Sequence, residues 1–196
     1  MNKIYLASNS PRRKELIKQL GLEFIQLESE IDETPYFNEP ADRYCLRLAI
    51  EKNKKAQAVR SEQYFANLPI LTADTTVSID QEILGKPKNT EDAIAMLKQL
   101  SGRTHYVFTA LCVSYNEQHF SCVQTNEVEF KVLTHSEITA YVATGIPLDK
   151  AGAYGIQGIG GCFVKQLSGS FTGVMGLPLY ETAELLRQCG IKILSS

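Results

Sequence analysis

The chain has 196 residues, 44% of them hydrophobic and 21% charged, the make-up of an ordinary globular protein long enough to bury most of its apolar surface. Twenty basic residues against twenty-two acidic ones leave a net charge of −2 with no block of like charge, which argues against a broad footprint for nucleic acid. No apolar run of about 18 residues occurs. No apolar leader follows a basic one at the start either, so a cytoplasmic location is expected, with no membrane partner. Five cysteines, at 45, 112, 122, 162 and 189, show no C-x-x-C spacing, so neither a disulfide framework nor a zinc site is expected. Most are read as small buried residues.

The first stretch, Ile4 to Leu16, reads as strand, loop and helix, with Ser10 as N-cap and Pro11 at the first helical position. Arg12 and Arg13 then fall in the first turn, where positive charge opposes the helix dipole. Beside the hydroxyls of Ser8 and Ser10 they form either a phosphate cradle or a solvated basic turn, and residue types alone leave both open. Gly21 ends this helix and Phe24 to Leu27 reads as a second short strand. Glu28, Glu30, Asp32 and Glu33 follow in a proline-marked loop, either as solvated charge or with a carboxylate placed to hold Mg²⁺ near phosphate.

A long helix is expected from Pro40 to Val59, with Cys45, Leu48, Ala49 and Ala56 at helical spacing. Lys52, four residues after Leu48, sits on or beside the apolar face, as a snorkelling side chain or at a pocket rim. Leu68 to Ile79 reads as a buried strand with Asp74 in its middle. A carboxylate there is costly unless paired or bound to metal, which favours a site over a satisfied structural aspartate. Asp80-Gln81 turns the chain, Ile83-Leu84 returns it, and Gly85 and Pro87 restrict the backbone around Lys86.

Asn89 to Leu100 reads as an amphipathic helix, and Thr104 to Tyr115 with Phe120 to Leu133 as a hairpin about Asn116-Glu117. The three histidines, at 105, 119 and 135, lack metal spacing and are read as lone polar residues. After a short helix, Ser136 to Thr144, comes the glycine-rich segment Asp149 to Gly161. It lacks the preceding strand and following helix of a dinucleotide motif. It suits a backbone that approaches a ligand closely, with the Gln157 amide free to read donor and acceptor atoms, or else a surface turn. Phe163 to Leu167 reads as a strand, Gly173 to Gly176 as a tight passage, and Pro178 to Gln188 as the last helix. No repeat, linker or low-complexity segment divides residues 1–196, so one domain is expected, an α/β sandwich around a long mixed β-sheet.

Five segments together, Leu6 to Arg13, Ala73-Asp74-Thr75, Gly85-Lys86-Pro87, Asp149 to Gly158 and Gly176-Leu177-Pro178, resemble the Maf family of nucleotide pyrophosphatases in order and spacing. The resemblance spans essentially the whole chain. It implies a two-lobed fold related to the inosine triphosphate pyrophosphatases, with a nucleoside triphosphate in the cleft. The implied reaction is hydrolysis to monophosphate and pyrophosphate with a divalent cation, Mg²⁺ or Mn²⁺. Asp74 matches the family's proton acceptor, which also shares the metal with Glu33, and Ser8, Arg12, Arg13, Lys52 and Lys86 match the triphosphate contacts. Thr75 and Gln157 are similar to the subgroup acting on dTTP and UTP, where Gln157 faces the O4 and N3–H of the pyrimidine and Arg12 is a third specificity position. The subgroup acting on 7-methyl-GTP differs at both, and a non-catalytic nucleotide-binding regulator of cell division is the alternative from another class. Thr72 and Gly173 depart from the commonest family residues, and a homodimer is expected from the resemblance alone.

Overall fold

A computed structural model describes residues 2–193. In chain order the elements are β1 (Lys3–Leu6), α1 (Pro11–Gln19), β2 (Glu23–Gln26), α2 (Ala41–Glu62), β3 (Ile70–Ile79), β4 (Glu82–Leu84) and α3 (Thr90–Leu100). They continue with β5 (Thr104–Tyr115), β6 (Gln118–Phe130), α4 (His135–Ala143), β7 (Val164–Ser168), α5 (Phe171–Met175) and α6 (Leu179–Gln188). The strands form one mixed seven-stranded sheet in the order β2-β1-β3-β5-β6-β7, with β4 paired to β3. No helix among the described residues is long and apolar enough to cross a membrane.

Local chemistry sets the element ends. Ser10 caps α1 by accepting from the Arg13 N–H, with Pro11 in the first turn. Asn89 does the same for α3, and Thr134 and Glu137 form a reciprocal capping box on α4. The turns β3–β4 and β5–β6 carry positive φ at both central residues, Asp80-Gln81 and Asn116-Glu117, as two-residue hairpins require.

Strand β3 organises the molecule. Its first residues pair with β1, Tyr5 opposite Ile70 and Leu6 opposite Leu71, and its last three pair with β4 from Val77 onward. Between Leu71 and Val77 no strand among the described residues covers that edge, so the sheet forks there. Side chains alternate along the strand. Leu71 and Ala73 enter one core with α1 and α6, while Val77 and Ile79 enter a second core with α3 and α4. The two lobes expected from the sequence are these two cores, built on one sheet on either side of the fork. The other face of β3, Ile70, Thr72 and Asp74, meets α2.

One expectation needs correction. Gly173 to Gly176 is not only a passage: residues 171–175 form α5, because Ser170 caps it by accepting from the Gly173 N–H and Gly176 turns out of it at φ 112°. In the glycine-rich segment, packing within the chain requires glycine at two positions, while a Cβ on Gly158 would meet nothing within 4 Å. A Cβ on Gly152, at φ 69°, would lie 2.9 Å from Val77 Cγ1, and one on Gly160 would lie 2.6 Å from the Tyr141 hydroxyl.

Polar ties set α2 on the sheet. Buried Asn53 donates to the carbonyls of Ile70 (3.1 Å) and Cys112 (3.2 Å), and buried Thr72 donates to the Ala49 carbonyl (2.7 Å). Replacing Asn53 by leucine leaves those carbonyls without their side-chain donor. The expected loss of stability is about 1–3 kcal/mol, read from urea unfolding.

Candidate active site

The fork opens onto a cavity of about 500 Å³, a size typical of small-ligand sites. Asp74, 7% exposed, lines it from the α2 face of β3. Lys52 of α2 places its Nζ 2.8 Å from Asp74 Oδ1 and 2.7 Å from Glu33 Oε1, so one ammonium is shared by two carboxylates from distant segments. The second oxygen of Asp74 accepts from the Thr76 hydroxyl at 3.2 Å. The position of Lys52 that the sequence left between rim and snorkel is thus resolved by its partners.

The other cations divide into held and uncommitted ones. Arg13 donates from Nε to the Gly176 carbonyl (2.8 Å), from Nη1 to Ser8 Oγ (3.3 Å) and from Nη2 to Thr75 Oγ1 (3.1 Å). Three of the five N–H groups of a guanidinium are therefore spent on the protein. Burial lowers its pKa, against the opposing pull of Asp74. Thr75 in turn donates to Thr109 Oγ1 (3.0 Å), whose own proton goes to the Gly173 carbonyl (2.7 Å). Arg12 and Lys86 also line the cavity and make no ion pair among the described residues. A further cation on the wall, Lys150, is engaged by the Ile146 carbonyl and by Asp149.

Of the residues singled out in the sequence, Arg12, Arg13, Glu33, Lys52, Asp74, Thr75 and Lys86 all line the cavity. Ser8 is buried behind it as a partner of Arg13, and Gln157 is exposed beyond the wall, to which its neighbour Ile156 and Tyr154 contribute. Tyr44 was missed. It lines the cavity with Leu48 and Lys52, three residues of α2 four apart, a stripe that helical spacing could have revealed. Burial, and then Asp74, push the Tyr44 hydroxyl and the neighbouring Cys45 thiol each up to about 12. Cys45 is accordingly an inert packing thiol that donates to the Asp74 carbonyl at 3.4 Å.

The carboxylate pair also fits a divalent cation. Mg²⁺ and Mn²⁺ favour oxygen donors and Mg²⁺ sites commonly use one or two carboxylates completed by water and substrate phosphate. Glu33 and Asp74 supply that anionic oxygen pair, already gathered around one positive charge. No group of three or more His, Cys, Asp or Glu side chains suited to a metal occurs among the described residues.

The cleft at the sheet fork is thus walled by cations around a buried carboxylate. The chain belongs to the Maf family: the family's profile, described as Maf-like protein, matches residues 3–189. It is 60% identical over 194 residues to a protein of Haemophilus ducreyi named nucleoside triphosphate pyrophosphatase, covering 99% of this chain and 98% of the relative. It is 53% identical over 193 residues to the dTTP/UTP pyrophosphatase of Pasteurella multocida, covering 96% of each. Among solved structures the Ham1 protein of Staphylococcus aureus matches with a TM-score of 0.46 at 16% identity, over 65% of this chain and 71% of that one.

His105, expected as a lone polar residue, is instead fully buried behind the wall, its Nε2 2.7 Å from the Tyr154 hydroxyl and its Nδ1 unpartnered. Burial holds its pKa down to about 4, so the native protein keeps it neutral while the unfolded chain protonates near 6.5. Its contribution to stability is therefore full above pH 6.5 and is lost as pH falls towards 4, about 3 kcal/mol in all. Unfolding measured between pH 7 and 4 should show that extra acid sensitivity in the native sequence and not in His105→Gln.

Proposed function

We propose that this chain is a nucleoside triphosphate pyrophosphatase that hydrolyses dTTP and UTP to the monophosphate and pyrophosphate, with Asp74 as general base and the whole chain acting as one unit. The reaction and the pyrimidine class are supported by the names of near full-length relatives. The base is supported by one observation above the others: Asp74 sits at the sheet fork with its carboxylate facing both Lys52 and the cavity.

In this reading the triphosphate enters between Arg12 on α1 and Lys86 after β4, uncommitted cations of the cavity wall that offset its charge. Asp74 accepts a proton from a water that attacks the α-phosphorus. The bond from that phosphorus to the bridging oxygen breaks, and the pyrophosphate leaves with the electron pair. Lys52 shifts its charge from the two carboxylates towards the phosphates as the reaction proceeds, which stabilises the transition state more than the resting enzyme. Glu33 and Asp74 would hold the divalent cation, which when bound supplies charge neutralisation at the phosphate oxygens. Arg13 acts mainly as a clamp that fixes the α1 start, Thr75 and the Gly176 turn around the substrate. Base choice is assigned to the loop carrying Tyr154, Ile156 and Gln157.

The test is pyrophosphate release from dTTP, UTP, CTP, GTP and 7-methyl-GTP with Mg²⁺, the native protein against Asp74→Asn. Release is expected from dTTP and UTP foremost, with kcat about 10²–10⁴-fold lower in Asp74→Asn. Release undiminished in that variant would remove the general base. Binding without release from any nucleotide would favour a non-catalytic regulator.

A further inference from the structure

Glu33 lies in the segment between β2 and α2, residues 27–40, which contains neither helix nor strand. Residues 32–38 are all exposed, so apolar burial does not hold them in place. Polar contacts to α2 do. Arg47 donates from Nε to Glu39 Oε1 (2.6 Å) and from Nη2 to both Glu39 Oε2 (2.7 Å) and the Thr34 carbonyl (3.1 Å). Its Nη1 faces Glu51 at 3.3 Å, and its guanidinium lies 3.9 Å from the centroid of the Tyr36 ring. Glu39 also accepts from the Tyr36 N–H at 2.9 Å, and the Tyr44 hydroxyl donates to the Glu33 carbonyl at 2.8 Å.

These contacts pin two successive carbonyls, those of Glu33 and Thr34, and thereby fix where the Glu33 side chain leaves the loop. Surface ion pairs usually contribute little, but this one is two-pronged and shielded, with side chains 16% and 8% exposed for Arg47 and Glu39. The hydrogen bond from Arg47 holds the Glu39 carboxyl below the usual range. Arg47 lies outside the buried stripe of α2 (Cys45, Leu48, Ala49), so its removal disturbs the loop before the core. We propose that Arg47 is a positioning residue, a latch on α2 that sets the 33–39 loop so that Glu33 stands beside Lys52 and Asp74. Its effect on catalysis rests on the assignment of Glu33 and Asp74 as the cation-holding pair.

Three variants of the full chain test this: Arg47→Met, Glu39→Gln and the two combined. Arg43→Ala is the control, since that side chain is 74% exposed and reaches only Asp42, at 3.9 Å. In Arg47→Met, amide exchange should quicken across residues 33–39, the Tyr36 N–H included, while β3 and β5 stay protected. The Mn²⁺ concentration that half-saturates dTTP hydrolysis should rise by about 10-fold or more, as loss of a supporting contact behind a metal ligand does, with a smaller change in KM for dTTP. Mn²⁺ binding followed by electron paramagnetic resonance should weaken in parallel. Glu39→Gln should move all three in the same direction, and the double variant should be no worse than Arg47→Met, because both break one contact. Should Arg47→Met fail to fold, Glu39→Gln alone decides. Unchanged loop exchange, or exchange that quickens equally in β3 and β5, overturns the latch. If the native protein hydrolyses no nucleotide, the cation-site assignment falls, and loop exchange still decides whether Arg47 holds the loop.

Discussion

The contact between Lys52 and Asp74 is the constraint from which the rest of the structure follows. A carboxylate in mid-strand, 7% exposed, is several kilocalories unfavourable without a partner, and Lys52 is the partner that brings a full positive charge within 2.8 Å. That reach requires α2 to lie over one face of β3, which Asn53 and Thr72 secure by bonding backbone carbonyls across the interface. It also requires an opening beside Asp74. The sheet provides one by ending β1 at Leu6 and starting the β4 pairing only at Val77, so that this edge of β3 runs uncovered between the two.

The cations around this opening have separate roles. Arg13 is tied to three segments through Gly176, Ser8 and Thr75, so it contributes rigidity along with charge. Arg12 and Lys86 line the cavity and carry no such ties among the described residues. Lys52 is held by two carboxylates, and the proposed reaction has its charge turn from them towards the phosphates. A site with some cations fixed and others free can accept a polyanion without first reorganising its walls, which is where electrostatic catalysis gains most.

Much of this was legible in the sequence because it is local. Ser10-Pro11 announces a helix start, Asp74 inside an apolar β-branched run announces a cost that needs a reason, and Asn116-Glu117 announces a hairpin. What was not legible depends on contacts between distant residues. Helical spacing placed Lys52 near the apolar face but could not say that Glu33 would cross to meet it. The commitment of Arg13 to Gly176, 163 positions away, has no local signature, and neither does the fork, which depends on where two other strands stop. The packing demands on Gly152 and Gly160 come from Val77 and Tyr141, side chains that no local pattern around those glycines names. His105 looked polar and lies in the core, because Tyr154 satisfies one ring nitrogen from within.

The most direct measurement is a crystal structure of the native chain with Mn²⁺ and a dTTP analogue whose α–β bridge is an imido group, with the metal located by anomalous scattering. The account expects a manganese peak between Glu33 and Asp74, the triphosphate between Arg12 and Lys86, and the Lys52 ammonium turned towards the phosphates. A triphosphate seated away from Asp74, or manganese bound elsewhere with Lys52 still bridging the two carboxylates, would contradict it.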